Sequence, residues 1–181
     1  THYKIWLNTS FKAKKITNVK KSEIYIANLY SVIGYYYDLH GDFSSAISNY
    51  YKALELGEKY KDNIIISSNL SNLGYVFDLQ GNYEKAIETY KKSLELKYKI
   101  GNKKSIAITL NNLAYSYKQI QNYDEALVNF NKSLRIFENL DDQENIASAI
   151  NNIALVFEKK RWFICSWALF FEIIRNRKKI Q

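Results

Sequence analysis

Asn111-Asn112-Leu113-Ala114-Tyr115-Ser116-Tyr117 returns along the chain at a fixed spacing. Forty residues upstream stands Ser71-Asn72-Leu73-Gly74-Tyr75-Val76-Phe77, and forty downstream Asn151-Asn152-Ile153-Ala154-Leu155-Val156-Phe157. A fourth copy, Ser31-Val32-Ile33-Gly34-Tyr35-Tyr36-Tyr37, keeps the register. Further along each copy, a small residue recurs at Ala46, Ala86, Ala126 and Ser166, and an aromatic at Tyr50, Tyr90, Phe130 and Phe170. Four copies without a gap mark a repeat array.

Each unit reads as two helices. Leu70, Leu73 and Phe77 share one face of the first, and Tyr83, Ala86, Ile87, Tyr90 and Leu94 follow the 3.6 period in the second. Breaks are expected at His40-Gly41-Asp42, Gln80-Gly81-Asn82 and Ile120-Gln121-Asn122, where Gly and Asn can take the left-handed conformation that ends a helix. Lys61-Asp62-Asn63, Gly101-Asn102-Lys103 and Asp141-Asp142-Gln143 read as polar turns between units. The 181 residues contain no Pro and only 6 Gly, too few turn residues for a sheet protein. Gly34, Gly74, Ala114 and Ala154 are expected to face Ala46, Ala86, Ala126 and Ser166 at a close helix crossing. Tyr37, Phe77, Tyr117 and Phe157 would fill the space beside it. One such pair cannot bury its own apolar face, so neighbours must stack into an all-α solenoid.

The pattern Leu-Gly/Ala, two residues, Tyr/Phe, then Ala, then Tyr/Phe resembles the tetratricopeptide repeat over residues 24–178. The resemblance implies a right-handed α-solenoid of antiparallel helix pairs. Its units would be 24–60, 61–100, 101–140 and an irregular fourth at 141–178, preceded at 1–20 by the second helix of a partial unit. The spacing of 40 exceeds the usual ~34. It is similar to the long-repeat branch found in kinesin light chain, Leu-Gly-Asn-repeat regulators and bacterial signalling proteins. The Pro that usually closes a unit is missing. No Met stands anywhere, position 1 included, so the chain is expected to begin inside a longer product or to have been processed.

By resemblance, the first helix of each unit lines a concave groove. Its candidates here are Tyr35 and Asp38, then Asn72, Tyr75 and Asp78. Asn111, Asn112, Tyr115 and Lys118 follow, then Asn151 and Asn152. Asn72, Asn112 and Asn152 form a row that resembles the asparagine ladder of kinesin light chain. An amide carries both donor and acceptor and can hold the backbone of an extended peptide whatever its side chains. The alternative is that these Asn continue helix turns or reflect an Asn-, Lys-, Ile- and Tyr-rich coding bias. The two-carboxylate clamp of chaperone-tail binders is not expected, because Ser31, Tyr35, Asn72, Ile108 and Asn112 stand where it needs Lys and Arg.

The net charge of +8 suggests a nucleic-acid or membrane ligand until it is mapped. Six Lys against Glu23 give residues 1–23 a net +5, and residues 158–181 carry another +5. Residues 24–157, which hold the groove, are net −2, so no nucleic acid is expected there. With two His and one Cys, no metal site or cofactor is expected, nor an internal disulfide. No nucleophile motif or phosphate loop is present, which argues against an enzyme. His40 reads as an exposed turn residue and Cys165 as a structural thiol. The apolar run Trp162–Ile174 is shorter than the ~20 residues of a membrane span. A further repeat, a partner or self-association would cover it. A cytoplasmic location is the default, and an extracytoplasmic sensor is the alternative. The expected function is a non-catalytic scaffold binding a protein or peptide in its groove. The alternative is a sensory or regulatory module of a bacterial signalling protein.

Overall fold

A Gly, or a residue able to imitate one, followed by Asp or Asn stands at each turn among the described residues, 20 residues apart. The computed structural model describes residues 19–177, with side chains as far as Arg161. Among the described residues there are seven helices and no strand. They are α1 (Val19–Leu39), α2 (Phe43–Tyr60), α3 (Asn63–Leu79), α4 (Tyr83–Ile100), α5 (Lys103–Gln119), α6 (Tyr123–Asn139) and α7 (Gln143–Arg177). The expected preceding helix lies mostly outside these residues. So do the side chains of Cys165, Ser166, Phe170 and the rest of the apolar run.

The turns divide two tasks that the sequence reading assigned jointly to Gly and Asn. The left-handed residue is Gly41, Lys61, Gly81, Gly101, Gln121 or Asp141, with φ between 53° and 80°. The next residue is not left-handed; it is the N-cap of the following helix. Asp42 accepts from Ser45 N, Asp62 from Ile64 N and Ile65 N, Asn82 from Lys85 N, Asn102 from Ser105 N and Asn122 from Glu125 N. Each cap satisfies amides that the helix cannot. The outgoing helix is closed as well: Asn82 N donates to Phe77 O at 2.9 Å and Asn122 N to Tyr117 O at 2.9 Å, the six-to-one bond of a Schellman ending.

The fourth unit departs from the expected helix pair. Position 162 is Trp, so no Asp or Asn cap stands where Asn82 would, and Arg161 remains helical where Gly81 is left-handed. The backbone therefore runs on as one 35-residue helix. Ala154 and Phe157, the counterparts of Gly74 and Phe77, are exposed on it.

Consecutive helices pack pairwise, and the first helices of neighbouring units also touch, α1 on α3, α3 on α5 and α5 on α7. That is the solenoid arrangement. The core is a column of Tyr50, Tyr90 and Phe130, each fully buried, with Ala46, Ala86 and Ala126 one turn before them. The small residues on the first helices face these rings more closely than they face the alanines. A Cβ on Gly74 would stand 2.7 Å from Tyr90 Cε1, and one on Gly34 2.7 Å from Tyr50 Cδ1. The third unit pairs Ala114 with Phe130 instead. Tyr90 is pinned by its hydroxyl, which donates to Asp78 Oδ2 at 3.0 Å. Phe130 has no such tether and can yield to a methyl group.

Gly74→Ala is accordingly expected to lower the unfolding free energy by about 1–3 kcal/mol, as overpacking does. In a Tyr90→Phe background the same change should cost less. Urea unfolding of the four variants measures the difference, and additive costs would contradict the pinned-ring account.

Candidate functional site

Three successive first helices place their exposed faces side by side and leave a cleft of about 260 Å³ between them. Tyr35 and Asp38 come from α1, Asn72, Tyr75, Ser68 and Ser71 from α3, and Asn112, Ile108, Ser105 and Thr109 from α5. Lys97 enters from the second helix α4. Five of the sequence-predicted groove residues, Tyr35, Asp38, Asn72, Tyr75 and Asn112, are thus brought into one cavity. The tyrosines stand well out, Tyr35 at 55% exposure, Tyr75 at 46% and Tyr115 at 39%. They offer large contact areas at low conformational cost.

The remaining predicted residues are placed differently. Asp78 is buried, and both of its oxygens are engaged: Tyr90 Oη donates to Oδ2, and Ser116 Oγ, from the next unit, donates to Oδ1 at 2.6 Å. Burial raises its pKa, while the Ser116 and Tyr90 hydrogen bonds oppose the rise. It works as a link between units. Asn111 and Asn152 face each other across α5 and α7, with Asn152 Nδ2 3.4 Å from Asn111 Oδ1. Asn151 is exposed. Lys118 lies with its Nζ 4.7 Å above the centre of the Tyr115 ring, a cation–π contact, and burial lowers its pKa, helped by Lys159. Tyr115, Lys118 and the 111/152 pair therefore continue the face beyond the cleft, without lining it.

Asp38 repeats the position of Asp78 with a different outcome. Val76 stands toward Asp38 where Ser116 of the third unit stands toward Asp78, so the serine donor is missing. Asp38 is 9% exposed, its Oδ1 has no hydrogen-bond partner, and burial raises its pKa. The hydroxyl of Tyr50 is likewise unpartnered.

Sequence reasoning missed Lys97. It is 7% exposed, and burial lowers its pKa to about 8. Its Nζ donates to Ser71 Oγ and to Thr109 Oγ1, both at 2.7 Å. The signal was available: at the 40-residue period Lys97 falls on Gly57 and Phe137, both buried. A charged residue in a core column is the informative exception.

The profile of the tetratricopeptide repeat matches residues 25–99 and 105–162. The chain belongs to this family. Among solved structures, the tetratricopeptide-repeat chain is similar to BtubC (BKLC) from P. vanneervenii, at 22% identity and a TM-score of 0.74. It is similar also to the apo form of RapI, at 19% and 0.72, and to aspartyl phosphate phosphatase F from Bacillus subtilis, at 16% and 0.73. The alignments cover 88%, 83% and 83% of this tetratricopeptide-repeat chain, but 64%, 42% and 41% of those three. At such identities the likeness is one of fold. No curated protein sequence matches the chain. Among the described residues no group of three or more His, Cys, Asp or Glu could hold a metal, and no helix is long and apolar enough to cross a membrane.

The buried ammonium has a consequence for stability. Burial lowers its folded pKa to about 8, below the ordinary lysine value of 10.5, so between those two pH values the unfolded chain holds more protons. Stability then rises with pH across that window and is insensitive to this group below it. Lys97→Met is expected to be as stable as the parent, or more so, at pH 7. Its advantage should shrink as pH approaches 10. Thermal unfolding of both proteins at pH 7 and 9.5 checks this, and a widening gap would count against it.

Proposed function

We propose that this chain is a non-catalytic interaction module that receives an extended segment of a partner protein in its concave groove. The observation that carries this reading is the cleft itself, in which α1, α3 and α5 set two tyrosines, Tyr35 and Tyr75, beside two amides, Asn72 and Asn112. Amides one unit apart can pair with a peptide backbone irrespective of its side chains, and the rings supply the area. The amide row is shorter than the sequence suggests, because Asn152 shares its amide with Asn111. A near-neutral groove between basic ends favours a protein partner over a nucleic acid. A cytoplasmic setting fits a protein with a single thiol.

A second reading is a regulatory module within a bacterial signalling protein. It draws on the likeness of fold to aspartyl phosphate phosphatase F, of whose length this chain covers 41%. The sequence flanking this chain in its gene product would separate the two readings.

The test uses a dodecapeptide selected on the protein from a random display library. Asn72→Ala should weaken its binding by about 2–10-fold, the worth of one net hydrogen bond, with an unchanged circular dichroism spectrum. Tyr75→Ala should weaken it more. Affinity indifferent to both changes, or a library that yields no peptide competing for this cleft, would overturn the reading.

A further inference from the structure

Lys97 brings a positive charge to a core position that its neighbouring units fill with Gly57 and Phe137. The groups around it are arranged for a charged ammonium. Thr109 donates its hydroxyl proton to Ser105 O at 2.8 Å, and Ser93 donates its own to Ser67 O at 2.6 Å. Ser71 Oγ accepts from Lys97 and lies 2.8 Å from Ser93 Oγ and 3.2 Å from Thr109 Oγ1, so its proton goes to one of these two oxygens. The protons of this network point away from Nζ. An ammonium has three donors, and the two hydroxyls take two of them. Among the described residues no carboxylate forms an ion pair with it. Lys97 and both of its acceptors line the cleft.

We propose that Lys97 is a receptor for a carboxylate of the bound segment, seated in the groove at the seam of α3 and α5. This rests on the reading of the groove as a peptide site and adds its chemical preference. Among the residues that line the cleft Lys97 is the single cation, beside hydroxyls, amides, tyrosine rings and one acid, Asp38, and it matches at most one added negative charge. A phosphate would bring about two at neutral pH. Asp38 lines the same cleft and would repel a doubly charged group more than a singly charged one, and no Arg stands among the lining residues to hold a phosphate. The carboxylate can come from a Glu or Asp side chain or from a chain end. Either restores to Lys97 the counter-charge that a buried ammonium lacks here.

The experiment titrates three small probes into the isotope-labelled protein and follows Lys97 Cε and the Ser71 and Thr109 resonances. The probes are N-acetyl-glutamate N-methylamide, its glutamine counterpart, and N-acetyl-alanine, which carries a terminal carboxylate. The expected result is a saturable shift with at least one carboxylate probe and none with the glutamine probe. The tighter carboxylate tells side chain from chain end. A glutamine probe that acts like glutamate, or no shift at up to about 50 mM, the range of a single weak contact, would overturn the proposal. Lys97→Met should abolish the shifts at Ser71 and Thr109, and shifts that survive in it also overturn the proposal. Should that variant fail to fold, the glutamate–glutamine comparison in the unaltered chain decides by itself. Carboxylate shifts without any library peptide would sink the groove reading alone. Library peptides indifferent to exchange of their acidic residues for amides would sink the carboxylate proposal alone.

Discussion

The two-residue turn that recurs every 20 residues is the constraint on which the rest of this molecule depends. A left-handed residue ends one helix by returning amides to its last carbonyls, and the Asp or Asn after it opens the next by accepting from the first free amides. Neither half needs Pro. Both halves are local, so every helix from α2 to α6 is cut to 17 or 18 residues whatever it packs against. Equal lengths give equal registers. Residues 40 apart then occupy equivalent places on neighbouring first helices, which is why Asn72 and Asn112 meet in one cleft.

Where the device is absent, the regularity goes with it. Trp162 has no side-chain oxygen to accept from the first amides of a new helix, and α7 continues past the point where its predecessors turn. Ala154 and Phe157 are consequently left without the second helix that buries Gly74 and Phe77. The dependence of packing on turn chemistry is visible within a single chain.

Units of identical length still differ inside, and those differences make the cleft. The second unit closes its Asp–Tyr contact with Ser116 of its neighbour, whereas the first has Val76 in that place and leaves Asp38 incomplete. The same junction carries Ser71, Ser93, Thr109 and Lys97, four polar residues where the equivalent sets are Ser31, Ala53, Asn69 and Gly57 before it and Asn111, Ser133, Ala149 and Phe137 after it. Sequence periodicity averages over such differences. It put Tyr35, Asn72, Tyr75 and Asn112 on one face, and these four line one cleft, because face is set by register. It could not show that Asp78 is consumed by Tyr90 and Ser116, since those contacts cross from helix to helix and from unit to unit. The pairing of Asn111 with Asn152 escaped for the same reason.

By itself the sequence determined the first three helix pairs, the places of their turns and the family, because each follows from local chemistry repeated at a fixed period. It also located the net charge, which belongs to the two ends while the groove stays near neutral. Only the tertiary structure decided which polar residues remain free. A lysine of a second helix lies at the groove floor because the seam between α3 and α5 offers two hydroxyls and no carboxylate to its ammonium. Whether a buried charge is matched depends on atoms brought together from different helices, and no one-dimensional pattern records that.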